Sequence, residues 1–475
     1  MLQQNRCWLS GIAVAGLVLA GLTCRPATAQ EVAELIPEYE SYAEADFVSA
    51  SRGTVKAKML GSKGWYLAIE APPGESPSRV TLNAKDQKVL RLLALRGGGR
   101  RLVQKGDSID VIVPADGVGW FFLYAPFPDV SVYDYQPKTL FKLADNTPAK
   151  AKYPVVDIHV HLALASPEER LKIMDAVGVA LVIDSPLGTA TEFSYRRFEE
   201  KYPDRFLTFG NVNFSTRFDE EFPGDVIAKL ESDASSMGVP GVSEVIDKGS
   251  GVYGHALVPE PRGNVYVDDD RMMPLWRSAA RLKLPVLLHV AEPIWFYEPI
   301  DGDHEFLRSQ AFGFRWSLAG TDVLSRDEMM RRRDRIMEEI PDLVVIGAHM
   351  GHLEDDLARL GETLDKHPNF YVEMGVRHAY LGVQPHTARK FHIKYQDRIL
   401  FGQDGALNAW QYRQYFRFME TDDDQIAIRF WEPKLYGLNL PDEVLKKIYY
   451  GNASRLFPKV KEKLLKLHPN LDFPE

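Results

Sequence analysis

Cysteine is all but missing from this chain. Its two copies, Cys7 and Cys24, fall in the first thirty residues, and that stretch reads as a cleavable leader. Arg6 supplies a short positive region, residues 9–22 an apolar one, and Ala27-Thr28-Ala29 a small-residue cleavage motif before Gln30. Cleavage after Ala29 would leave no thiol, which excludes disulfides, thiolate nucleophiles and cysteine-ligated metals. Any metal would then be held by histidine and carboxylate. Cys24 offers lipid attachment as an alternative, but Gly21-Leu22-Thr23 fits the small-residue pattern of such sites poorly. The expectation is an exported protein, periplasmic or secreted.

Long apolar runs and excess positive charge are missing too. The leader run is short and glycine-rich, and no other stretch approaches the ~18–20 apolar residues of a membrane-spanning helix. Lysine and arginine number 57 against 66 acidic residues, a net charge of −9. Removing Arg6 and Arg25 leaves 55 against 66, or −11. Such a balance argues against a nucleic-acid partner, which needs a clustered basic surface. A small-molecule substrate fits better, and a homo-oligomer is left open.

At 475 residues, 45% hydrophobic and 26% charged, the chain has an ordinary globular composition and exceeds what one compact core usually holds. Residues 31–150 contain no histidine. They carry short β-type runs at 64–69, 89–95, 109–113 and 119–124, broken by turn clusters such as Pro72-Pro73-Gly74 and Gly97-Gly98-Gly99. This spacing predicts a small antiparallel, sandwich-like domain over 30–135. Residues 136–152 read as a linker, following the leader at 1–29 and that domain.

From Tyr153 the pattern becomes short apolar runs alternating with amphipathic stretches, the signature of a parallel sheet with crossover helices. The runs fall at 155–158, 180–183, 206–209, 241–245, 285–290, 343–346, 370–374 and 399–402. Helices are expected at 167–174, 225–232, 270–282, 326–340 and 353–367. The first of these opens on Ser166 with Glu169 three residues later, a capping box. Eight strands with intervening helices over 153–468 predict an α/β fold of the (β/α)8 TIM-barrel type.

In such a barrel the active site lies at the C-terminal strand ends, so the polar residues closing each run are the ones to read. The first run ends Asp157-Ile158-His159-Val160-His161. A period of two points both imidazoles, and Asp157, to one side of the strand, where they can chelate a divalent cation. The fourth run carries Glu244, the fifth ends at His289, the sixth at His349 and the eighth at Asp404. A lone histidine at a strand end is more often structural, and an aspartate after a strand is commonly a helix cap. Their recurrence at one structural place favours a metal site.

This set resembles the amidohydrolase superfamily, in particular its amidohydrolase-related branch of decarboxylases and lactone hydrolases. The matching pieces are Val156 to His161, Leu287-Leu288-His289, Gly347-Ala348-His349-Met350-Gly351, Ile399 to Asp404 and the closing Gly451-Asn452-Ala453-Ser454-Arg455-Leu456-Phe457. The resemblance covers about 153–458. It implies His159, His161, His289 and Asp404 as ligands of a divalent metal such as Zn2+, one or two in number. It implies His349 as an acid/base or orienting group or a ligand to a second metal, and Asp404 also as proton acceptor for the bound water. Many two-metal relatives place a carboxylated lysine where this chain has Glu244, with Lys248 further along. Glu244 is therefore read as a bridge between metals, a hydrogen-bond partner of a ligand, or a partner of Lys248, and the branch favours a mononuclear site.

Three further residues read as substrate-binding. His352 follows His349 by three positions. Arg377, with His378, follows the seventh run and suits an anionic group, against the plainer reading of a solvated loop pair. Trp295 stands in the aromatic segment 292–321, with Phe296, Tyr297, Phe312, Phe314 and Trp316, read as a lid or pocket wall against packing on the N-terminal domain. Residues 410–418 are read as another wall or a buried amphipathic helix. The functional expectation is a metal-dependent hydrolase cleaving a C–N, C–O or lactone bond with metal-bound hydroxide. Non-oxidative decarboxylation on the same site and a non-catalytic surface binding protein are the alternatives.

Overall fold

The computed structural model describes residues 42–45, 48–60, 64–71, 78–84, 92–96, 101–105, 108–113, 118–124, 131 and 139–474. Within the last range, 163–164, 188, 259, 313–315, 406 and 429–432 are excepted. The leader, the two turn clusters above, the linker positions 136–138 and Phe314 lie outside the described residues. No described helix is long and apolar enough to cross a membrane. The chain divides into two units, Met1–Val130 and Ser131–Glu475.

Among the described residues of the first unit, nine strands form two antiparallel sheets. One has the order β1 (Ala43–Glu44), β3 (Thr54–Leu60), β4 (Gly64–Glu70), β9 (Val118–Tyr124), β6 (Leu92–Arg96). The other runs β2 (Val48–Ala50), β5 (Ser78–Ala84), β8 (Ser108–Val113), β7 (Arg101–Lys105). Alternation sorts the side chains of β8, with Ile109, Val111 and Val113 buried and the residues between them half-buried. These three share one core with Leu67, Ile69 and Phe121 of the other sheet. Strands β3 and β5 were not legible as apolar runs because each interleaves charged or polar residues with its core positions.

Among its described residues the second unit holds eight parallel strands. They are β10 (Val155–Val160), β11 (Val179–Asp184), β12 (Phe206–Thr208), β13 (Val242–Asp247), β14 (Val286–Val290), β15 (Val345–Gly347), β16 (Phe370–Glu373) and β17 (Ile399–Leu400). Hydrogen-bonded ladders run β10-β11-β12 and β13-β14-β15-β16-β17. Ser243 N–H donates to Gly210 O at 2.9 Å, and Gly210 N–H to Gly241 O at 2.9 Å, linking the two groups. At the other margin Ile158 N–H donates to Phe401 O at 3.1 Å and Asp404 N–H to His159 O at 2.8 Å. Strands β10 and β11 are buried at every position, as expected of parallel strands covered on both faces.

The longer helices between strands follow their sequence signals. Helix α1 (Pro167–Val177) is capped by Ser166, whose side chain accepts from Glu169 N–H, and it stops at Gly178 with φ +83°, a left-handed stop that favours glycine. Helices α2 (Gly224–Ser236), α3 (Met273–Arg281), α4 (Arg326–Glu339), α5 (Leu357–Lys366), α6 (Pro385–Lys394), α7 (Ala409–Glu420) and α8 (Pro458–Leu467) complete the set. Residues 139–152 are fastened to this unit: Asn146 N–H and Nδ2 donate to Asp423 at 2.9 and 2.6 Å, and Lys152 N–H to Glu420 at 3.0 Å.

The short last strand is held from its C-terminal side. Phe401 N–H donates to Ile448 O at 3.1 Å, and the buried Asn452 amide donates to Gln396 O and Ile399 O at 2.7 and 2.6 Å. Replacing Asn452 by Ala leaves these carbonyls short of a donor, at a cost of about 1–3 kcal/mol. A lowered urea midpoint for the second unit is the expected result. A shift equivalent to less than about 0.5 kcal/mol, the range of an ordinary surface change, would show that this latch does not carry the strand.

Candidate metal centre

Strand β10 delivers two imidazoles to the strand ends, each with its outer nitrogen turned toward an oxygen. His161 Nδ1 donates to Ser185 O at 2.6 Å, while His159 Nδ1 faces Glu373 Oε1 at 3.1 Å. Both therefore turn Nε2 inward, the two atoms lying 3.2 Å apart. Glu244 Oε2 from β13 stands 3.5 Å from His159 Nε2 and 3.4 Å from His161 Nε2. Asp404 Oδ1, just beyond β17, adds a fourth corner at 3.6 and 3.1 Å from the same two nitrogens. Donors around one cation with bonds of ~2.0–2.2 Å lie about 3.3–3.5 Å from each other in a tetrahedral arrangement. The residues fit a divalent cation.

The other oxygen of Glu244 looks the opposite way. His289 Nδ1 lies 2.7 Å from Glu244 Oε1, His349 Nε2 lies 3.6 Å from it, and the two nitrogens are 3.2 Å apart. His349 Nδ1 donates to Gly375 O at 2.9 Å, so its Nε2 is again the inward lone pair. Asp404 Oδ2 completes this side at 3.9 Å from His349 Nε2. The carboxylates Glu244 and Asp404 thus each divide their oxygens between two groups of imidazoles. Second partners of this kind fix imidazole tautomers and orientation at metal sites.

Local backbone geometry sets these directions. His349, Met350, Gly351 and His352 all take positive φ, between 54° and 59°, and Asp404 has φ +55°. A run of left-handed residues after β15 turns His349 back over the strand ends, at the strain such conformations carry. The sequence reading missed Glu373, which closes β16 and is fully buried. Its Oε1 accepts from His349 N–H at 2.5 Å and its Oε2 from Gly375 N–H at 2.6 Å. Gly402 is small for this carboxylate's sake, since a Cβ there would meet Glu373 Oε2 at 2.0 Å. The available signal was its place as the acid closing the seventh apolar run.

Asp157 belongs to the framework beneath the cluster. It accepts from His159 N–H at 3.0 Å, Gln403 N–H at 3.2 Å and Tyr412 Oη at 2.6 Å, tying β10, β17 and α7 together. Burial pushes its carboxyl up to about 7 against those hydrogen bonds. Lys248 pairs with Glu292 and not with Glu244. Arg377 is buried, its Nε 3.0 Å from Glu354 and its Nη2 3.1 Å from His352 Nδ1, so it backs the site from inside. His352 packs on His289 with ring centroids 4.5 Å apart. Trp295 stacks on Tyr380 at 4.6 Å and donates to Glu305 at 2.9 Å. His378 packs against Tyr415 at 4.1 Å, and the 410–418 stretch lies within α7 with Tyr412, Tyr415, Phe416 and Phe418 buried. The Phe312 side chain lies outside the described residues.

Charge follows the same division. Burial alone would lower the His159 imidazole, but Glu373, Glu244 and Asp404 hold it well above its ordinary range. Against burial, Asp404 and Glu244 likewise lift His161 to about 9. Burial and the Arg377 charge push His349 down. Burial would raise Asp404, but His159 and the hydrogen bond from His161 hold it below the usual carboxylate range. Asp404 and His161 are also the open members, their side chains 27% and 20% exposed against 0–8% for the other cluster residues.

A sequence profile described as amidohydrolase matches residues 155–459, 305 of the 475 residues. No curated protein matches the chain. Among solved structures it is similar to 2,6-dihydroxybenzoate decarboxylase from Rhizobium, at 19% identity over 64% of this chain and 99% of that one, with a TM-score of 0.42. It is also similar to IDCase of Metarhizium anisopliae (14%, 66% and 98%, TM-score 0.42) and to dihydroorotase of Saccharomyces cerevisiae (13%, 68% and 85%, TM-score 0.34).

Because imidazoles bind metal only when neutral, raised His159 and His161 make metal loading release protons. At pH 7 calorimetric titration with zinc in buffers of different ionisation enthalpy should report at least one proton released. Apparent affinity should climb with pH through about 9, where half of His161 is deprotonated, and level off only above it. Binding at pH 7 without proton release would contradict this charge distribution.

Proposed function

We propose that this chain, which belongs to the amidohydrolase family, is a metal-dependent hydrolase that cleaves a C–N, C–O or lactone bond at the strand ends of a closed (β/α)8 barrel. The observation that carries the reading is the convergence of His159, His161, His289, His349, Glu244 and Asp404, from five different strands, on the two oxygens of Glu244. His159, His161 and Asp404 would hold one divalent cation against Glu244 Oε2, and His289 and His349 a second against Oε1. Histidine and carboxylate donors suit zinc among several first-row metals. When bound, such cations supply Lewis acidity that polarises a carbonyl and acidifies water.

The chain's own residues do the rest. Asp404 is the one carboxylate of the cluster with appreciable exposure, and its low proton affinity keeps it ionised at neutral pH. It takes a proton from the attacking water and hands it to the leaving nitrogen or oxygen as the bond breaks, so that acid and base roles fall to one group. Glu373, Ser185 O and Gly375 O hold the imidazoles in place. Arg377 fixes His352 behind His289 and His349.

Dialysis against a chelator should abolish turnover on a panel of amides, esters and lactones, and zinc or manganese should restore it. Asp404→Asn should lower kcat by about 10²- to 10⁴-fold, with the metal retained. Activity indifferent to chelation would sink the proposal. Release of CO2 from an aromatic or unsaturated acid, without bond hydrolysis, would replace it with decarboxylation.

A further inference from the structure

Beside the metal cluster lies a cavity of about 410 Å3, reached from the loops after β11, β12, β13 and β14. Glu244, Ile246 and Lys248, alternate residues at the end of β13, form one wall, so the cavity and the cluster share the Glu244 carboxylate. Its size falls in the range of small-molecule pockets, about 300–1,000 Å3. Leu187, Val212, Phe214, Ile246, Leu257 and Leu318 make the surface apolar. Tyr253, in a left-handed turn at φ +59°, leans edge-on against Phe214 at 5.7 Å and stays half exposed at the mouth.

Several polar groups of the lining are already committed. Lys248 is the one lysine or arginine among the described lining residues, and it is paired with Glu292. Asn211 donates its side-chain amide to Thr189 O at 2.6 Å, and His255 Nδ1 accepts from Leu257 N–H at 3.1 Å. A carboxylate placed in this chamber would lack a free lysine or arginine partner, while an alkyl or aryl group would meet a lining whose larger part is apolar.

Resting on the hydrolase reading, we propose that the chamber receives the non-reacting part of the substrate, and that this part is bulky, apolar and uncharged. The substrate class is thus a lipophilic ester, lactone or amide whose carbonyl lies toward the Glu244 cluster. Selectivity then comes from burial of hydrocarbon against Leu187, Val212, Phe214 and Leu257, at about threefold to fourfold per methylene.

The test uses the full metal-loaded protein on p-nitrophenyl esters and anilides of straight-chain acids from two to ten carbons, each beside its ω-carboxylated counterpart. kcat/KM should climb about threefold to fourfold per methylene until the chamber is filled, and the carboxylated series should be at least tenfold poorer. Leu257 is 71% exposed, so Leu257→Asp keeps the fold and should flatten the climb. A flat series in the parent protein, or preference for the carboxylated one, overturns the proposal. Binding of Nile red, a neutral apolar dye, is read in parallel. Dye binding weakened tenfold by Leu257→Asp, with no turnover of any substrate, upholds the chamber and counts against the hydrolase reading. No dye binding overturns the chamber whatever the turnover.

Discussion

The Glu244 carboxylate is buried at the centre of the strand ends, and the site is arranged around satisfying it. A carboxylate removed from water is costly unless charge or hydrogen bonds replace the lost hydration. Here four imidazoles stand against it, two for each oxygen, and against burial His159, His161 and His289 hold Glu244 well below its ordinary range. Those imidazoles need partners of their own, and Ser185 O, Gly375 O and Glu373 supply them. Each layer makes sense only with the next one in place.

That requirement explains where the backbone departs from ordinary geometry. Asp404 and the turn from His349 to His352 adopt left-handed conformations that non-glycine residues avoid, at about 1–3 kcal/mol each. They persist because the strand ladders on either side fix where these turns begin and end. Asp157, hydrogen-bonded to β10, β17 and Tyr412 of α7, stiffens the margin where the first and last strands meet. The histidines are therefore positioned by the sheet, while loops after β11 to β14 shape the neighbouring cavity.

Much of this was legible in the sequence, for a physical reason. Parallel strands covered on both faces must be apolar, so any polar residue at the end of such a run stands out; His159, His161, Glu244, His289, His349 and Asp404 were found that way. The structure brings these six together. Glu373 obeys the same rule but is followed four and five residues on by Arg377 and His378, a more conspicuous polar pair after the seventh run. Pairings between distant loops were not legible. Arg377 turns inward because Glu354, buried after β15, needs its charge. Lys248 meets Glu292 from the next strand end and leaves Glu244 to the histidines. Trp295 finds Tyr380, a contact between loops 85 positions apart, which no periodicity encodes.

In the proposed function Glu244 joins two cation sites. Anomalous diffraction from crystals of the zinc-loaded protein, with metal content measured on the same preparation, tests it most directly. Two zinc ions per chain are expected, one beside His159, His161 and Asp404 and the other beside His289 and His349, with Glu244→Gln reducing the content to one or none. A single zinc in the parent protein at saturating metal, or two that survive Glu244→Gln, would contradict it.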